Sequence, residues 1–435
     1  MADESQPTSG LVATSDYKLS ALVIVTSTGQ SVNIKNIMLE LNLYEDIFSP
    51  VMTGSVTLGD AGDIISSYNL HGNEYILINI DKPTLDKPII KTFRIYKISD
   101  RKFGTNSLQN YTIHFCSEEL ILSTQTIISK SYKGLTIDKM VNDILVNRLQ
   151  TNPNKTSNGI FSTAKGNFDI IIPRMQPFEA IEWLTPRAYN DNQNLFLFFE
   201  NRDGYNFTSY ENLISLPVYN TYSRSVKITS DPADNFNSYN FIGIIEDFDI
   251  IKAMKYGSFS STLAVLDLVN RSYSATNFNA KQVSASGLLN KSIPANDLQN
   301  RFGLSLYTTT ENMVKYIASS DSDPTFNPAN IKNWLPQTAT RLGQINSFKA
   351  VIVIPGDILI KAGSVVGLII PKMTPQADVT QNDPMRTGNY LVSAVHHKFV
   401  QDIASTTLEL LSDSVNITLP SSAQNSQTIS GLIKS

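Results

Sequence analysis

The chain has 435 residues, of which 41% are hydrophobic and only 17% are charged. This length exceeds one ordinary hydrophobic core and predicts roughly two to four domains. The net charge of −4 argues against a protein that binds nucleic acid electrostatically. Because asparagine, serine and threonine take the place of the missing charges, we expect a surface that hydrogen-bonds to neighbouring subunits.

A single cysteine, Cys116, excludes an internal disulfide framework and a metal cluster held by thiolates. The first ten residues, MADESQPTSG, are polar and acidic and do not resemble a secretory signal. The apolar runs are too short to span a bilayer, so we expect no membrane insertion. These features predict a soluble protein that folds in a reducing compartment.

The first third of the chain has the alternating pattern of β-strands. Residues 1–16 are small and polar and are expected to be disordered. From Tyr17, apolar and polar residues alternate with a period of two, most clearly in Ile37–Tyr44. Six or so strands at this spacing predict that 17–117 forms a small antiparallel barrel or sandwich.

Residues 118–235 change to a mixed pattern and predict an inserted α+β domain. Glu118–Ile128 is consistent with a helix, and Thr136 is a suitable N-cap for the next one. Within this domain, the stretch Pro177–Ile214 predicts a helix packed on a hairpin. Asp203-Gly204 supplies the hairpin turn, because glycine tolerates a positive φ angle.

The chain then returns to strands, which the sequence divides into 236–280 and 347–412. The first part includes expected strands at Ile250–Met254 and Ser258–Leu268. Between the two parts, 281–346 reads as an inserted loop and helical segment, with a capping box at Thr308–Glu311 and a helix at Pro336–Ile345. Residues 413–435 are polar and are expected to form an extended C-terminal tail.

No pattern of residues indicates catalysis or a cofactor. His396 and His397 are neighbours on a strand and therefore point to opposite faces, which disfavours a shared metal ion. His114 and Cys116 share a face but have no third ligand. Nucleophile, phosphate-binding and zinc motifs are absent from the sequence. We therefore expect no enzyme activity, no cofactor, and the following structural core and turn residues: Phe178, Ile181, Trp183, Leu184, Gly204, Tyr205, Phe207, Gly257, Gly356 and Gly363.

Four stretches together resemble the central hub proteins of contractile-tailed bacteriophage baseplates. They are Asn42–Ile65 with the following HGNE motif, the segment Pro177–Ile214, Phe248–Ser272, and Pro355–Pro371 with the sequence PGDILIKAGSVVGLIIP. The resemblance implies an α+β fold that is mainly β, with two tube-type antiparallel β-barrel domains and inserted α+β and helical domains.

The resemblance also implies a function in the virion tail baseplate, after assembly in the host cytoplasm. Three chains would form a ring of six barrels that adapts a hexameric tail tube to a trimeric spike. The implied partners are two further copies of the chain, the tube or a tube-initiator protein, the spike and a tape measure protein. Phage DNA would pass through the lumen without specific binding.

Two alternatives remain open at this stage. A hub or spike component of a type VI secretion or other contractile injection system is related to the same family. Such a spike fuses the hub to a repetitive β-helix, and no repeat follows Leu411. A tail-associated cell-wall hydrolase is the alternative from another class, and it would need a buried pair of acids in a cleft.

Overall fold

The computed structural model is mainly β with several helices, which confirms the predicted fold class at this level. It describes residues 17–81, 88–104, 108–191, 195–224, 237–247, 249–255, 258, 260–267, 272–279, 287–293, 331–345, 347–372, 381–401 and 403–417. Within these ranges, every helix is too short or too polar to cross a bilayer.

The strands are β1 Lys18–Val25, β2 Ser31–Asn33, β3 Met38–Asp46, β4 Thr53–Asp60, β5 Tyr75–Asp81, β6 Ile89–Phe103, β7 Gln109–Cys116, β8 Ile128–Leu135, β9 Phe168–Met175, β10 Phe196–Glu200, β11 Tyr205–Ser209, β12 Val218–Arg224, β13 Ser238–Tyr239, β14 Phe241–Glu246, β15 Ser260–Asp267, β16 Ser272–Asn279, β17 Phe348–Pro355, β18 Val365–Ile369, β19 Gly388–Val400 and β20 Ile403–Ser412. The α-helices are α1 Ile64–Ser67, α2 Glu118–Gln125, α3 Ile137–Asp143, α4 Pro153–Ser157, α5 Pro177–Leu184, α6 Tyr210–Ile214, α7 Ile250–Lys255 and α8 Ile331–Ile345.

The first seven strands form one half of a large sheet, in the order β3-β4-β7-β6-β5-β1-β2. All of these neighbours are antiparallel. Alternate residues of each strand face a common hydrophobic core, as the period-two pattern predicts. Leu41, Val56, Ile78 and Ile113 are representative of this core and are buried.

The second half of the sheet repeats this strand order. Its neighbours run β14-β17-β20-β19-β18-β12-β13. Taken in chain order, β12, β13, β14, β17, β18, β19 and β20 therefore occupy the places of β1 to β7. One strand differs in direction, because β12 is parallel to β18 whereas β1 is antiparallel to β5. The structure thus contains a duplicated strand order that the sequence did not reveal at the level of residues.

The two halves join into one sheet through β3 and β19. Six residue pairs connect these strands, from Ala394–Asp46 to Phe399–Leu41. The resulting central sheet has eight antiparallel strands in the order β6-β7-β4-β3-β19-β20-β17-β14. We call it the eight-strand sheet.

The segment between the halves packs against them through β10. Leu197 and Phe199 on one face of β10 belong to the core of the second half. Phe196 and Phe198 on the other face belong to a separate core formed with α3, α5 and β9. All five residues of β10 are buried, so this short apolar strand connects two hydrophobic cores.

Several local expectations were wrong. Ile250–Lys255 is helix α7 rather than a strand, because Asp249 accepts hydrogen bonds from the backbone N–H groups of Lys252 and Ala253. Helix α2 ends at Gln125, and the unpredicted strand β8 follows it and pairs with β9. Helix α8 begins at Ile331 and continues through Pro336. The capping box at 308–311 lies outside the described residues.

Candidate functional site: a two-edged sheet and a buried junction

Within the described residues, both outer strands of the eight-strand sheet have an edge without a strand partner. At one end, β14 pairs with β17 and with no other described strand. At the other end, β5 pairs with Ile89–Arg94 of β6, and the continuation Tyr96–Phe103 pairs only with β7. Unpaired strand edges present free N–H and C=O groups that can accept another chain.

The contact between β3 and β19 is an example of how such an edge pairs with another strand. β19 is the counterpart of β6, and its Ala394–Phe399 edge is covered by β3. β14 is the counterpart of β3. β14 and β6, the counterparts of β3 and β19, therefore both have a free edge, and they lie at opposite ends of the eight-strand sheet.

Apolar residues accompany the free edge of β14. Phe241, Ile244 and Ile245 are exposed, and Ile251 of α7 is exposed just beyond the strand. Ile242 is partly buried and packs on the core of the second half. An unpaired strand with exposed apolar side chains is typical of a contact surface rather than of a free edge in a monomer.

The face of the eight-strand sheet that points away from the cores is polar and nearly neutral. Two of its lysines are paired, since Lys398 lies 2.9 Å from Glu40 and Lys349 lies 2.7 Å from Glu409. Lys97 and Lys102 of β6 lie on the same face, as do the acidic Asp46 and Glu246. A row of hydroxyl groups occupies much of the rest, contributed by Ser55, Thr57, Thr112, Ser405 and Thr407. This face has no net excess of positive charge that would hold a polyanion.

His396 and His397 lie on opposite faces of β19. The His396 ring stacks on Tyr44 with 4.5 Å between the ring centroids, whereas His397 is buried on the opposite face. Burial lowers the pKa of His397 to about 3, and burial together with Lys398 lowers the pKa of His396. In the described part of the chain, no three potential ligands cluster in a way that could hold a metal ion.

A buried junction holds the inserted segment against both halves. Its centre is the turn of the β10–β11 hairpin, residues 201–204, where Asp-Gly was predicted to turn. The Glu45 carboxylate of the first half accepts hydrogen bonds from the backbone N–H of Arg202 at 2.8 Å and from that of Ala362 at 2.9 Å. One side chain thus connects the first half, the inserted hairpin and the second half.

Further contacts of the hairpin turn reinforce this junction. The Arg202 guanidinium donates to the carbonyl oxygen of Ile358 at 2.9 Å. Asp203 forms an ion pair with Lys361. Burial favours protonation of Asp203, but the hydrogen bond and charge of Lys361 more than offset this effect and lower its pKa. The loop that follows β17 is therefore fixed to the hairpin turn at Ile358 and at Lys361.

Glu200, at the end of β10, adds a second set of contacts to the first half. It accepts from the backbone N–H of Met52 at 2.9 Å and lies 3.0 Å from the ammonium group of Lys155. Lys155 also lies 2.8 Å from Glu119. Burial opposes the charge on Lys155, but the two carboxylates more than compensate and raise its pKa.

Burial strongly affects the pKa of Glu45. It has 2% of its surface exposed, and burial raises its pKa to about 7 even though two backbone N–H groups lower it. The sequence analysis did not select Glu45. The sequence did contain an indication of its burial. Leu41, Leu43 and Glu45 occupy alternate positions of β3 and therefore share its buried face.

The structure places most of the selected core residues together. Phe178, Ile181, Leu184, Tyr205 and Phe207 are all buried in the core of the inserted segment. The rings of Phe178 and Tyr205 are 6.3 Å apart, which brings α5 onto the β10–β11 hairpin.

Trp183 lies at the border of this core and is only partly buried. The Arg187 guanidinium lies 3.8 Å from the centroid of its ring, an arrangement typical of a cation–π contact. The indole thus contacts both the core and an arginine.

The selected glycines lie at points of close approach. A Cβ atom at Gly204, which has φ +153°, would overlap the backbone carbonyl of Lys155. One at Gly356 would overlap Ala404, and one at Gly363 would come within 3.0 Å of Phe199. Gly257 lies outside the described residues.

A buried ion cluster was also missed by the sequence analysis. Arg341 of α8 is fully buried, and its guanidinium lies 3.2 Å from Glu211 and 3.4 Å from Asp413. The spacing of Trp334, Thr338, Arg341 and Ile345 along α8 places Arg341 on the buried face, and this was the available signal.

The beginning of the predicted C-terminal tail takes part in the fold. Asp413, Ser414 and Val415 are buried. The Asp413 carboxylate accepts from the backbone N–H of Leu289 at 3.1 Å, and Val415 forms a bridge with Ser292. These residues connect the end of β20 to the segment 287–293.

No protein-family profile and no curated protein sequence matches the chain. Solved structures do match it. A tail protein from Neisseria meningitidis has a TM-score of 0.53 and 13% sequence identity, over 92% of this chain and 97% of that one. The 43 kDa tail protein of prophage MuSo2 from Shewanella oneidensis has a TM-score of 0.53 and 8% identity, over 91% and 99%. These similarities confirm the predicted resemblance to phage tail proteins at the level of the fold.

Proposed function

We propose that this protein is the structural hub of a contractile phage tail and acts as a ring of three chains. The observation that carries the proposal is the eight-strand sheet with a free edge at each end. In the ring, β14 of one chain pairs with β6 of the next, in the same way as β3 pairs with β19 inside each chain. The contact is heterologous and closes after three copies.

The strand directions are compatible with this pairing. Neighbours in the eight-strand sheet alternate in direction, so β14 runs opposite to β6. The new contact is then antiparallel, like every other contact in the sheet. Closure removes both unpaired edges, which is the usual reason for barrels to close.

The stagger of the sheet also supports a closed ring. Paired residues lead from Phe399 in β19 through Leu41, Val56 and Ile113 to Ile98 in β6. Phe399 lies one residue before the end of β19, whereas Ile98 lies five residues before the end of β6. The ends of these two equivalent strands are therefore offset by four residues along the strand direction, over the four steps from β19 to β6. With about 3.3 Å per residue and 4.8 Å per strand, this shift is a strand tilt of roughly 35°. Closed barrels have tilts in this range.

Each half supplies one barrel of the ring. In the second half, β13 pairs with β12, and after one residue the chain continues as β14, which pairs with β17. This continuity of the chain supports closure of the second half into a barrel. As part of the proposal we keep the predicted domains, barrels at 17–117 and at 236–280 with 347–412 and insertions at 118–235 and 281–346, with two changes. Strand β12, which pairs with β18, belongs to the second barrel, and the β15–β16 hairpin, which pairs with no other described strand, lies outside it.

Three chains with two similar halves have six similar units around one axis. Such a ring fits a six-fold tail tube on one side and a three-fold spike on the other. The polar face of the eight-strand sheet lines its lumen. Because positive and negative charges balance on that face, DNA passes without being retained. The function is mechanical and involves no reaction or cofactor.

The test is the mass of the purified particle in solution, measured by light scattering after size-exclusion chromatography. We expect three times the mass of one chain. Ile245→Lys should reduce this to one chain, because Ile245 is 60% exposed beside the free edge of β14 and a lysine there would be desolvated in the contact. The matched control is Ile171→Lys on β9, where the isoleucine is 73% exposed and lies outside the eight-strand sheet.

The two variants separate the edge contact from a general effect of charge. Loss of the trimer in Ile245→Lys but not in Ile171→Lys supports the ring. A wild-type particle with the mass of one chain, or an Ile245→Lys variant that remains a trimer, would overturn the proposed contact. Projection images of the trimer should show six lobes around a central channel.

A further inference from the structure

A bulge in the same place aligns β6 and β19 residue by residue. In β6, Tyr96 is one residue more than the facing stretch of β7. In β19, Ser393 is the extra residue opposite β20. Aligning these two bulges makes Ser99 the counterpart of His396, because each lies three residues after its bulge. Their partners in the next strand are of one type, Thr112 and Thr407.

The strand pairings extend this alignment across the sheet to β3 and β14. Glu40 of β3 is the counterpart of Phe241 of β14, and Tyr44 is the counterpart of Glu246. The paired residues that connect them to equivalent positions of β7 and β20 are Thr112–Thr57–Glu40 and Thr407–Val353–Phe241 for the first match, and Cys116–Thr53–Tyr44 and Leu411–Lys349–Glu246 for the second.

The two free strands each contain one residue more than their counterparts in the internal contact. Four steps lead from Glu40 to Tyr44, but five lead from Phe241 to Glu246, because β14 has a bulge at Ile245. In β6 a second bulge lies between Ser99 and Lys102, where β19 has none. The internal pairs with which these positions compare are His396–Tyr44 and Lys398–Asn42.

We propose that the contact between chains copies the register of the internal contact, with Ser99 of one chain opposite Glu246 of the next and Lys102 opposite Gly243. The inference rests on the proposed three-chain ring. Three steps separate the two residues on each strand, so the inserted residue of β6 faces the inserted residue of β14. The two insertions thus compensate each other, whereas an insertion on one strand alone would shift the pairing beyond it.

This register also accounts for an exposed phenylalanine. Phe399 and Phe103 occupy equivalent positions, each directly after a matched lysine. Phe399 lies opposite Leu41 and is buried in the core of the first half. Phe103 is 76% exposed within one chain, and in the proposed register it lies opposite Ile242, which packs on the core of the second half. The contact between chains therefore buries Phe103 as the internal contact buries Phe399.

The charges at the two free edges are complementary in this register. Lys97 of β6 is exposed on the polar face of the sheet. It becomes the diagonal neighbour of Glu246, in the same stagger as Lys398 and Glu40, which lie 2.9 Å apart in the internal contact. Glu246 also contacts Lys252 of its own chain. Pairing of β6 with a second β6 would instead bring lysines together, which disfavours a two-fold dimer through this edge.

The test is oxidative crosslinking of cysteine pairs in the purified protein. Residues directly opposite each other have Cβ atoms about 4.5–5.5 Å apart, whereas diagonal neighbours, about 7–8 Å apart, are too distant for a disulfide. Ser99→Cys with Glu246→Cys should therefore give covalently closed trimers. Lys97→Cys with Glu246→Cys and Lys102→Cys with Glu246→Cys are displaced along the same face and should crosslink weakly. Wild type supplies the background, because Cys116 is buried.

A second measurement deletes one inserted residue from each strand, Asp100 of β6, which has φ +55°, and Ile245 of β14. Each single deletion should raise the dissociation constant of the trimer by about tenfold or more, because one insertion then faces none. The double deletion should restore the trimer, since both strands then match those of the internal contact.

The outcomes separate the register from the ring. A trimer that crosslinks through Lys97→Cys or Lys102→Cys rather than through Ser99→Cys would overturn the register and leave the ring intact. Single deletions without effect, or a double deletion no better than either one in folded protein, would do the same. The cysteine pairs decide the register even if a deletion prevents folding. A wild-type particle with the mass of one chain would instead refute the ring itself.

Discussion

The buried carboxylate of Glu45 makes the stability of the junction depend on pH. Burial raises its pKa to about 7, from 4.5 for an ordinary glutamate. Between these two values the folded chain holds a proton on Glu45 that the unfolded chain has released. Folding therefore takes up a proton in this window, and the free energy of unfolding falls as the pH rises through it.

The size of this effect follows from the two pKa values. Between pH 5 and pH 8 the contribution of Glu45 should fall by about 2.5 kcal/mol, since one pKa unit corresponds to about 1.4 kcal/mol. Glu45→Gln removes the titration and leaves one amide oxygen for the N–H groups of Arg202 and Ala362. Leaving one buried donor without a partner costs about 1–3 kcal/mol, but this cost does not vary with pH.

The measurement is urea unfolding of wild type and Glu45→Gln at pH 5 and pH 8, followed by tryptophan fluorescence. The quantity of interest is the change in unfolding free energy between the two pH values, compared between the proteins. Wild type should lose about 2.5 kcal/mol more than Glu45→Gln over this interval. Glu182→Gln, at an exposed position of α5, should behave like wild type. Equal pH dependence in wild type and Glu45→Gln would refute the assignment of a perturbed carboxyl to the junction.

Three further outcomes follow from packing. Phe207→Ala should lower the unfolding free energy by about 3–5 kcal/mol, because Phe207 is fully buried. Trp183→Ala should lower it by only about 1–2 kcal/mol, because the indole is only partly buried. Equal losses of unfolding free energy in the two variants would contradict this ranking. Gly204→Ala should prevent normal folding, since its Cβ would overlap the backbone, while Gly134→Ala, with open space and φ +63°, should cost about 1 kcal/mol in thermal unfolding. A chain that ends at residue 417 should keep the wild-type melting temperature. A chain that ends at residue 412 should lose about 3–5 kcal/mol of unfolding free energy, because Arg341 loses its buried partner Asp413. Identical stability of the two truncated chains would show that this ion pair is unimportant.

The sequence alone was sufficient for the local elements with a strong periodic signal. Alternation in β3 and β4 predicted their buried faces, and Asp203-Gly204 predicted the hairpin turn. These features depend on neighbours within a few residues, so their information is contained in short stretches of chain. The combination of such stretches was also enough to indicate the resemblance to tail proteins.

Local pattern was not sufficient where a polar residue competes with it. The apolar run at Ile250 forms a helix because Asp249 caps its first turn. In the same way, the polar sequence after Ser412 does not form a free tail from its first residue, because Asp413 pairs with the buried Arg341. Each of these outcomes depends on one specific hydrogen bond or ion pair, which composition does not reveal.

Only the tertiary structure decided how the strands are ordered and what their polar residues do. Order depends on pairings between distant segments, such as β3 with β19, for which neighbouring residues carry no information. The same holds for Glu45, which becomes a connection between three parts of the chain only when Arg202 and Ala362 are brought to it. The sequence thus determined which strands form and which faces they bury, and long-range pairing determined the duplicated order and the two free edges on which the proposed ring depends.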